Sequence, residues 1–467
     1  MKKVLDVKQI ELFENVCDEI TTFEIDEKLG TCSFLKRVGK KFEINQNINI
    51  DYLHISFRKG VDIYGILHND KIRYRHLSID VMIHSIESVV SVIKKYKDKI
   101  DIIFCNCDEY HILKDRITDL PVTIVTNQDK PVVVIQHRKN IYYTVPQNLH
   151  LISTTGAGDS FIGGFLAKYS EKKILDDAVI QGIKNASYSI TRYGPIDEIS
   201  EINYTPNTNE LPKNIIVIGN SCAGKTTFVD FFKSHYNIYT DIDDLAPLLE
   251  MFMIDDISSK NSLEDLKQIK DNLIFMRDIY EQYLDDFPNI NHYSRIAKNG
   301  CGYDIINPNL WDIILRKSVS ILKRENNIIQ FSRGRDVEYE KLYGHDVYNR
   351  SLNIVLEELE NKENTIIVNL ISNLKNRKER NKIRHDHGGH FVSDDTMDNV
   401  YKEDIFKYEE IGNGRGFINL NDKEYPVYTI NNNKMLSKIK LKEFFTSKIA
   451  EIIDYYQRFK EEKYGEY

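Results

Sequence analysis

Residues 215–227 read IIVIGNSCAGKTT, and this stretch decides the fold of the C-terminal half of the chain. Within it, residues 219–226 match the pattern G-x-x-x-x-G-K-[ST] in full, after a strand-like run and before the helical run TTFVDFFKSHY. The glycines allow backbone N–H groups to turn towards an anion, Lys225 can reach the outer phosphates, and the hydroxyl of Thr226 can bind Mg²⁺. The stretch therefore predicts a phosphate-binding loop at the end of a buried strand.

Further strand-like runs follow this loop. A first strand that ends in a phosphate loop, with alternating helices and strands after it, is typical of a doubly wound, mostly parallel sheet whose ligand lies at the carboxyl ends of the strands. A long helical insert is predicted over residues 246–326, and a closing amphipathic helix is predicted to begin near Ser437. The strand-like runs are residues 237–243, 327–332, 364–371 and 425–430.

The second strand ends in the acidic sequence TDIDDLAP, which contains Asp241, Asp243 and Asp244. A carboxylate at this position can orient the water ligands of Mg²⁺ or accept a proton from an attacking hydroxyl group. The alternative is a helix cap followed by an acidic first turn, which explains the presence of one of the three aspartates equally well. We predict a catalytic role for Asp241 or Asp243 and a metal role for Asp241, because the third strand ends in QFS without the acidic residue of many P-loop ATPases.

This half resembles the P-loop nucleotide and small-molecule kinases, a group that includes thymidylate, shikimate and gluconate kinases. The resemblance depends on the loop, the Asp-x-Asp, the sequence QFSRGRD (330–336) and the arginine-rich segment 374–397. It implies that Arg333 and Arg335 hold a substrate phosphate and that ATP and Mg²⁺ are the cofactors. The residues expected to bind ATP in this half are Gly219, Ser221, Gly224, Lys225, Thr226 and Thr227, with Lys225 also catalytic.

The segment 374–397 resembles the lid that such kinases close over the phosphates. Arg377, Arg380 and Arg384 recur at helical spacing, so one helix face can meet a transferring phosphoryl group. The pair Gly388 and Gly389 is expected to act as a hinge. A solvated charged helix is the alternative. His385, His387 and His390 have no neighbouring cysteine, and their spacing suits phosphate contact or solvent better than a metal site.

A second phosphate-binding pattern lies in the N-terminal half, where residues 151–164 read LISTTGAGDSFIGG. The glycines precede a helix that is predicted to begin near Asp159. The backbone N–H groups of Gly156, Ala157 and Gly158 are expected to converge at its N-terminus as an anion hole. Asp159 is then placed to accept the proton of a substrate hydroxyl group.

These residues resemble the signature of the ribokinase (phosphofructokinase-B) family of sugar and nucleoside kinases, over roughly residues 50–200. The sequence FCNCDEYHIL (104–113) has the Asn-x-x-Glu of that family as Asn106 and Glu109, which the resemblance implies help to position phosphates and metal, with Glu109 as a metal ligand. The glycine-rich N-terminal segment that grips the sugar is missing, and so is the Gly-x-x-Gly of the nucleotide side. Either another surface supplies the substrate site, or this half has lost catalysis.

We predict an α/β protein with two doubly wound, mostly parallel sheets: a ribokinase-like domain (1–200), a linker (201–213) and a P-loop domain (214–467). The 467 residues have a net charge of −8 with mixed signs, which weakly disfavours a nucleic-acid partner. We expect a cytoplasmic protein without a membrane span that acts on a small molecule. The oligomeric state stays open.

The leading hypothesis is a fused kinase that moves the γ-phosphate of ATP to a small hydroxyl or phosphate acceptor such as a sugar, nucleoside or nucleotide. The alternative is a nucleotide-sensing regulatory ATPase in which the ribokinase-like half is inactive and the two halves signal through the helical insert.

Overall fold

The computed structural model describes residues 20–464, apart from 27–30, 39–46, 58–62, 84–85, 137–138, 193–201, 203, 206, 298–301, 323–325, 345 and 387–390. The chain divides into two compact units, Met1–Glu210 and Leu211–Tyr467. In the described part of the chain, every helix is too short or too polar to cross a membrane.

The first unit is built on a sheet with the strand order β3-β4-β5-β6-β7-β8-β9, beside a separate antiparallel pair β1–β2. Its strands are β1 (Ile20–Asp26), β2 (Thr31–Val38), β3 (Ile48–Ser56), β4 (Ile72–Asp80), β5 (Ile102–Asn106), β6 (Val122–Thr126), β7 (Val132–Gln136), β8 (Lys139–Tyr143) and β9 (Thr208–Leu211). Its helices are α1 (Ile63–Leu67), α2 (Ile86–Tyr96), α3 (Cys107–Arg116), α4 (Ala157–Lys172) and α5 (Leu175–Ser189).

This sheet is mixed, and its strand order follows the chain without a reversal, so the prediction of a doubly wound, mostly parallel sheet is wrong for the first unit. Strands β3 to β6 pair in parallel, whereas β6–β7 and β7–β8 pair antiparallel. The connections between β6, β7 and β8 span only residues 127–131 and 137–138, which is too short for the crossover that parallel strands need.

Helices α4 and α5 pack on one face of this sheet. Phe104 of β5 and Val134 of β7 lie in the same buried cluster as Phe161 and Phe165 of α4 and Ile183 of α5. The ring of Phe104 meets that of Phe165 edge to face, with centroids 5.1 Å apart. This packing fixes α4, and therefore the glycine loop at its N-terminus, against the carboxyl ends of the parallel strands.

The segment predicted as a linker is partly ordered into the first sheet. Strand β9 (Thr208–Leu211) lies beside β8, so residues 208–211 are not a free connection. Just before the strand, the hydroxyl of Thr144 accepts the N–H of Asn207 at 2.9 Å and bonds the hydroxyl of Tyr204 at 2.6 Å. The prolines of this stretch lie outside the strand in sequence, so none removes an N–H group from its ladder.

The second unit has a sheet with the strand order β11-β14-β10-β15-β18-β17-β16. Its strands are β10 (Asn214–Ile218), β11 (Thr240–Asp243), β12 (Ser294–Ile296), β13 (Tyr303–Ile305), β14 (Asn327–Phe331), β15 (Thr365–Ile371), β16 (Glu409–Gly412), β17 (Arg415–Leu420) and β18 (Lys423–Asn431). Its helices are α6 (Lys225–His235), α7 (Leu245–Ser259), α8 (Leu263–Gln268), α9 (Arg277–Asp286), α10 (Leu310–Val319), α11 (Val337–Tyr343), α12 (Val347–Glu358), α13 (Leu374–Asp386), α14 (Asp394–Asn399) and α15 (Lys438–Tyr464).

Strand β10 is the centre of a reversal in strand order. The strands from β11 to β18 in this order pair in parallel, whereas the pairings β18–β17 and β17–β16 at the far edge are antiparallel. After β10 the chain moves to one side through β11 and β14, and then crosses to β15 and β18 on the other side. A doubly wound sheet of this kind opens a crevice at the carboxyl ends of β10 and β14, where ligands bind in open α/β sheets.

The insert between β11 and β14 has its own core. It was predicted to be helical, but it also contains two strands. Strands β12 and β13 form a short antiparallel pair within it. Met251 and Ile254 of α7, Tyr280 of α9 and Ile314 of α10 pack in a cluster of buried side chains, with Trp311 at its edge. The insert therefore has enough apolar contact to hold a fixed shape beside the carboxyl end of β11.

Candidate functional site

The loop between β10 and α6 can only be built with glycines at two positions. Gly219 has φ of +141°, and a Cβ there would lie 2.3 Å from the carbonyl oxygen of Leu370. Gly224 has φ of +104° and caps α6, and a Cβ there would lie 2.5 Å from the amide nitrogen of Asn432. The sequence pattern therefore corresponds to a loop that is pressed against the ends of β15 and β18 and leads directly into a helix N-terminus.

Lys225, the first residue of α6, reaches back across this loop. Its ammonium group donates to the carbonyl oxygens of Gly219 at 3.1 Å and Asn220 at 3.3 Å, and to the hydroxyl of Ser332 at 2.5 Å. Burial lowers the pKa of Lys225, and the charges of Asp243 and Asp244 act in the opposite direction. The lysine thus lies in the crevice between β10 and β14, with two carboxylates close to it.

The other predicted loop residues lie around Lys225. The hydroxyl of Thr226 donates to the side chain of Gln330 at 3.3 Å. Ser221 lies at the turn of the loop and Thr227 in the first turn of α6, and both are partly exposed. This arrangement places hydroxyl groups and a helix N-terminus at one point, which is the chemistry that a polyphosphate requires.

The structure separates the two aspartates that the sequence offered as catalytic. Asp243 pairs in register with Gln330 at the carboxyl end of β11, whereas Asp241 lies two residues earlier and pairs with Lys233, in the last turn of α6. Two residues along a strand are roughly 7 Å. The prediction that Asp241 binds metal or acts in catalysis beside the loop is therefore wrong in this structure, and Asp243 is the residue that faces Lys225.

Asp243 is held in an unusual electrostatic setting. Its carboxylate accepts the N–H of Leu245 at 3.0 Å, and the carboxyl group of Asp244 lies close enough to raise its pKa. Burial and the adjacent Asp244 raise the pKa of Asp243 to about 7, while Lys225 acts in the opposite direction. A carboxyl group with a pKa near neutrality is suited to accepting and returning a proton.

Arg333 is not available to a substrate phosphate, contrary to the prediction. Its side chain is only 2% exposed, and its Nη1 forms an ion pair with Asp244 at 2.7 Å. The remaining nitrogens donate to the hydroxyl of Ser351 at 3.1 Å and to the carbonyl oxygen of Trp311 at 3.1 Å. Arg335, by contrast, is 64% exposed and has a loose contact of 3.5 Å with Glu340, so it stays a candidate for substrate contact.

Of the three arginines of α13, Arg380 hydrogen-bonds the loop between β10 and α6, and the predicted contact of all three with a phosphoryl group stays a prediction. Arg380 donates to the carbonyl oxygens of Cys222 at 3.4 Å and Ala223 at 3.3 Å. Arg384 is near enough to Lys225 to lower its pKa. Arg377 is buried, donates to the carbonyl oxygen of Ser372 at 2.8 Å, and has an Nη1 atom without a hydrogen-bond partner in the described part of the chain.

The hinge that was predicted in the lid-like segment, Gly388 and Gly389, lies outside the described residues, together with His387 and His390. The ring of His385 contacts that of Phe391 at a centroid distance of 4.9 Å. Across the described ranges, His, Cys, Asp and Glu side chains are not grouped in any set of three that could hold a metal ion. The site thus lacks a metal cage made by protein residues alone.

Two site residues escaped the sequence prediction. Asn432, which follows β18, is buried and donates to the carbonyl oxygen of Ala223 at 2.8 Å. Asn220, inside the loop, donates to the carbonyl oxygen of Glu403 at 3.0 Å. Both place an amide at the carboxyl edge of the sheet, and the signal for Asn432 was the polar run NNN directly after the last parallel strand.

The first unit has its own candidate site at the N-terminus of α4. Gly156 has φ of +79° and caps the helix, which begins at Ala157, two residues before the predicted start. The N–H of Ala157 donates to the carbonyl oxygen of Thr154 at 3.2 Å, so one of the three predicted anion-binding amides already has a partner. Gly158 and Asp159 are exposed in the first turn.

Asn106 and Glu109 form a capping box at the start of α3. Asn106 accepts the N–H of Glu109 at 3.0 Å, and the Glu109 carboxylate accepts the N–H of Asn106 at 2.8 Å and of Ile83 at 3.1 Å. Glu109 is 6% exposed. Each of its two oxygens accepts one backbone N–H group, which gives these residues a role in folding, and the contact with phosphate and metal that the resemblance implied stays a prediction.

Comparison with known proteins identifies part of the first unit. Residues 77–202 match the model of the pfkB family of carbohydrate kinases. A ribokinase from Dictyostelium discoideum is 37% identical over 78 residues, which cover 16% of this chain and 22% of the relative. An adenosine kinase from Saccharomyces cerevisiae is 30% identical over 105 residues, 21% of this chain and 31% of the relative. The chain thus spans less than a third of these relatives and is similar to a kinase family in that segment.

Solved structures with similarity to the chain include two kinases. A nucleoside kinase from Methanocaldococcus jannaschii has a TM-score of 0.28 and 21% identity, over 31% of this chain and 50% of that chain. A fructokinase from Vibrio cholerae has a TM-score of 0.29 and 16% identity, over 37% of this chain and 68% of that chain.

Proposed function

We propose that the chain is an ATP-dependent phosphotransferase in which the second unit transfers the γ-phosphate of ATP to a small hydroxyl or phosphate acceptor. One observation carries this proposal: Lys225 lies at a helix N-terminus behind a glycine loop, with Asp243 beside it. Helix N-termini and lysines stabilise the charge of polyphosphates, and a nearby carboxylate can activate the acceptor. The kinase-family segment of the first unit supports the same class of chemistry.

The transfer needs one base and one acceptor oxygen. Asp243 takes the proton from the acceptor hydroxyl, whose oxygen then forms a bond to the γ-phosphorus. The bond between that phosphorus and the β–γ bridging oxygen breaks, and ADP leaves with the electron pair. Lys225 and the N–H groups at the start of α6 stabilise the charge on the phosphate oxygens. Arg380, which bonds the loop, and Arg384, which lies near Lys225, add positive charge for the same purpose.

Magnesium fits this site as a partner of the nucleotide rather than as an independently bound ion. Mg²⁺ typically uses one or two protein oxygens together with phosphate oxygens and water. The hydroxyl of Thr226, in the first turn of α6, is an oxygen of that kind, and the described residues form no separate group of three side chains that could hold a metal ion. When bound, the ion would neutralise charge on the phosphates.

The first unit is proposed to act on a sugar or nucleoside, or to regulate its neighbour. An active unit would use Asp159 as the base and the exposed N–H group of Gly158 at the start of α4 for the phosphoryl group. Loss of activity is the second candidate, and one observation favours it: the Glu109 carboxylate and the Ala157 N–H are already bonded within the fold. The chain would then be a nucleotide sensor with one working site.

The test is transfer of γ-labelled phosphate by the full chain to a panel of sugars, nucleosides and nucleoside monophosphates, with Lys225→Ala and Asp159→Asn as variants. We expect Lys225→Ala to abolish labelling of the acceptor used by the second unit. If only Asp159→Asn abolished labelling, the active site would belong to the first unit and the proposal would be wrong. ATP hydrolysis that never labels an acceptor would favour the sensor.

A further inference from the structure

We propose that Arg333 is a positioning residue that holds Asp244 against Asp243 beside Lys225 and ties this carboxylate pair to the insert. The inference rests on the proposed transfer at Lys225. It assigns to Arg333 a role that neither the sequence pattern nor the family match supplies.

The geometry of Arg333 is that of a buried junction. Nη1 bonds the Asp244 carboxylate at 2.7 Å, Nη2 bonds the carbonyl oxygen of Trp311 in the insert at 3.1 Å, and Nε bonds the hydroxyl of Ser351 in α12 at 3.1 Å. The guanidinium carbon also lies 5.2 Å from the ring centroid of Trp311. A single side chain therefore joins the carboxyl end of β11 to α10 and α12.

The guanidinium shape is essential to this junction. A planar fork can bond three acceptors in fixed directions, whereas the single ammonium of a lysine cannot reproduce that geometry. Asp244 is buried directly after Asp243 in the chain, so a shift of Asp244 also moves the proposed base. Displacements of about 1 Å in a catalytic group can reduce a rate by about a hundredfold.

A second arginine–aspartate pair between α10 and α12 serves as the control, with an arginine that is 40% exposed against 2% for Arg333. Arg350 of α12 bonds Asp312 of α10 through Nε at 2.7 Å and Nη2 at 2.6 Å. Asp312, like Asp244, is 9% exposed. This second pair joins the same insert to the same helix, and among the contacts of the described residues none links it to Asp243, Asp244 or Lys225. Arg350→Met should therefore disturb the insert without disturbing the carboxylate pair.

The experiment compares Arg333→Met, Arg333→Lys and Arg350→Met in the full chain. For Arg333→Met we expect kcat to fall by about 10- to 100-fold with little change in the KM for ATP, because positioning and not nucleotide binding is lost. Arg333→Lys should recover part of kcat, and Arg350→Met should keep the wild-type kcat. Where Arg333→Met does not fold, Asp244→Asn replaces it, and the same fall in kcat is expected.

A second readout does not need turnover. The rate at which a small N-hydroxysuccinimide ester acetylates Lys225 is followed by peptide mapping. It should rise several-fold in Arg333→Met and stay unchanged in Arg350→Met, because without the guanidinium group Asp244 is no longer held beside Lys225 and the lysine becomes more accessible. Equal effects of the two variants on kcat and on acetylation would overturn the proposal. If the wild-type protein transferred phosphate to nothing, the proposed function would fail, and the acetylation rates would still decide the role of Arg333.

Discussion

Replacing Asp243 by asparagine is expected to change how the stability of the second unit depends on pH. Burial and the neighbouring Asp244 raise the pKa of Asp243 to about 7 in the folded protein, against 3.8 for an ordinary aspartate. The folded state therefore binds this proton more tightly than the unfolded state does. The resulting stabilisation is fully present below pH 4 and is lost as the pH rises through 7.

The magnitude follows from the two pKa values. One pKa unit corresponds to about 1.4 kcal/mol, so the contribution of Asp243 to the free energy of unfolding should fall by up to about 2.5 kcal/mol between pH 5 and pH 8. Asparagine cannot titrate, so Asp243→Asn lacks this fall. The difference in unfolding free energy between wild type and variant should thus shift in favour of the variant as the pH rises.

The chain contains a suitable probe for this experiment. Its one tryptophan, Trp311, lies in the second unit, so its fluorescence follows the unfolding of that unit alone. Guanidinium unfolding of both proteins at pH 5 and pH 8, without nucleotide and with a chelator present, gives the four free energies. Subtracting the unfolding free energy of Asp243→Asn from that of the wild type at each pH removes the contributions of the other titrating groups. A difference that is the same at pH 5 and pH 8 would refute the electrostatic argument for Asp243.

Three further predictions, tested with four substitutions, concern the glycine loop, the capping box and a buried histidine. Gly219→Ala should destabilise the second unit by about 2–4 kcal/mol, because its Cβ would lie 2.3 Å from the carbonyl oxygen of Leu370. Gly412→Ala is the control, since Gly412 has φ of +133° but a Cβ there would meet no atom within 4 Å. It should cost only the backbone strain of about 1–2 kcal/mol, and denaturant unfolding measures both variants. Glu109→Gln should lower the stability of the first unit by about 1–2 kcal/mol, measured by hydrogen exchange of its amides, and an unchanged exchange rate would contradict the capping box. Burial lowers the pKa of His54 to about 4, so the stability of the first unit should fall as the pH drops from 6.5 towards 4, and His54→Gln should remove that dependence.

The conformation of the glycine loop between β10 and α6 was predictable because it depends on neighbouring residues. Gly219, Gly224 and Lys225 are adjacent in sequence, and the positive φ angles and the helix start that they require leave a recognisable pattern. The reversal of strand order around β10 followed from the same stretch. The arginine face of α13 was predictable for the same reason, since residues three and four apart share one side of a helix.

The errors arose where long-range contacts decide a role. The sequence does not distinguish Asp241 from Asp243, because both are aspartates at the end of the same strand. The folded structure distinguishes them, since Asp241 pairs with Lys233 of α6. Arg333 looked like a substrate ligand because its partners, Asp244 and Ser351, come from distant parts of the chain. The pattern Asn-x-x-Glu is common to a capping box and to a kinase site, so the sequence alone does not distinguish the two.

Calorimetric titration of Mg-ATP into the full chain and into Lys225→Ala tests whether the loop at Lys225 holds the nucleotide. The wild-type protein should have a saturable site that disappears in the variant, while both proteins keep the same circular dichroism spectrum. Identical titration curves for the two proteins would show that the loop at Lys225 does not hold the nucleotide.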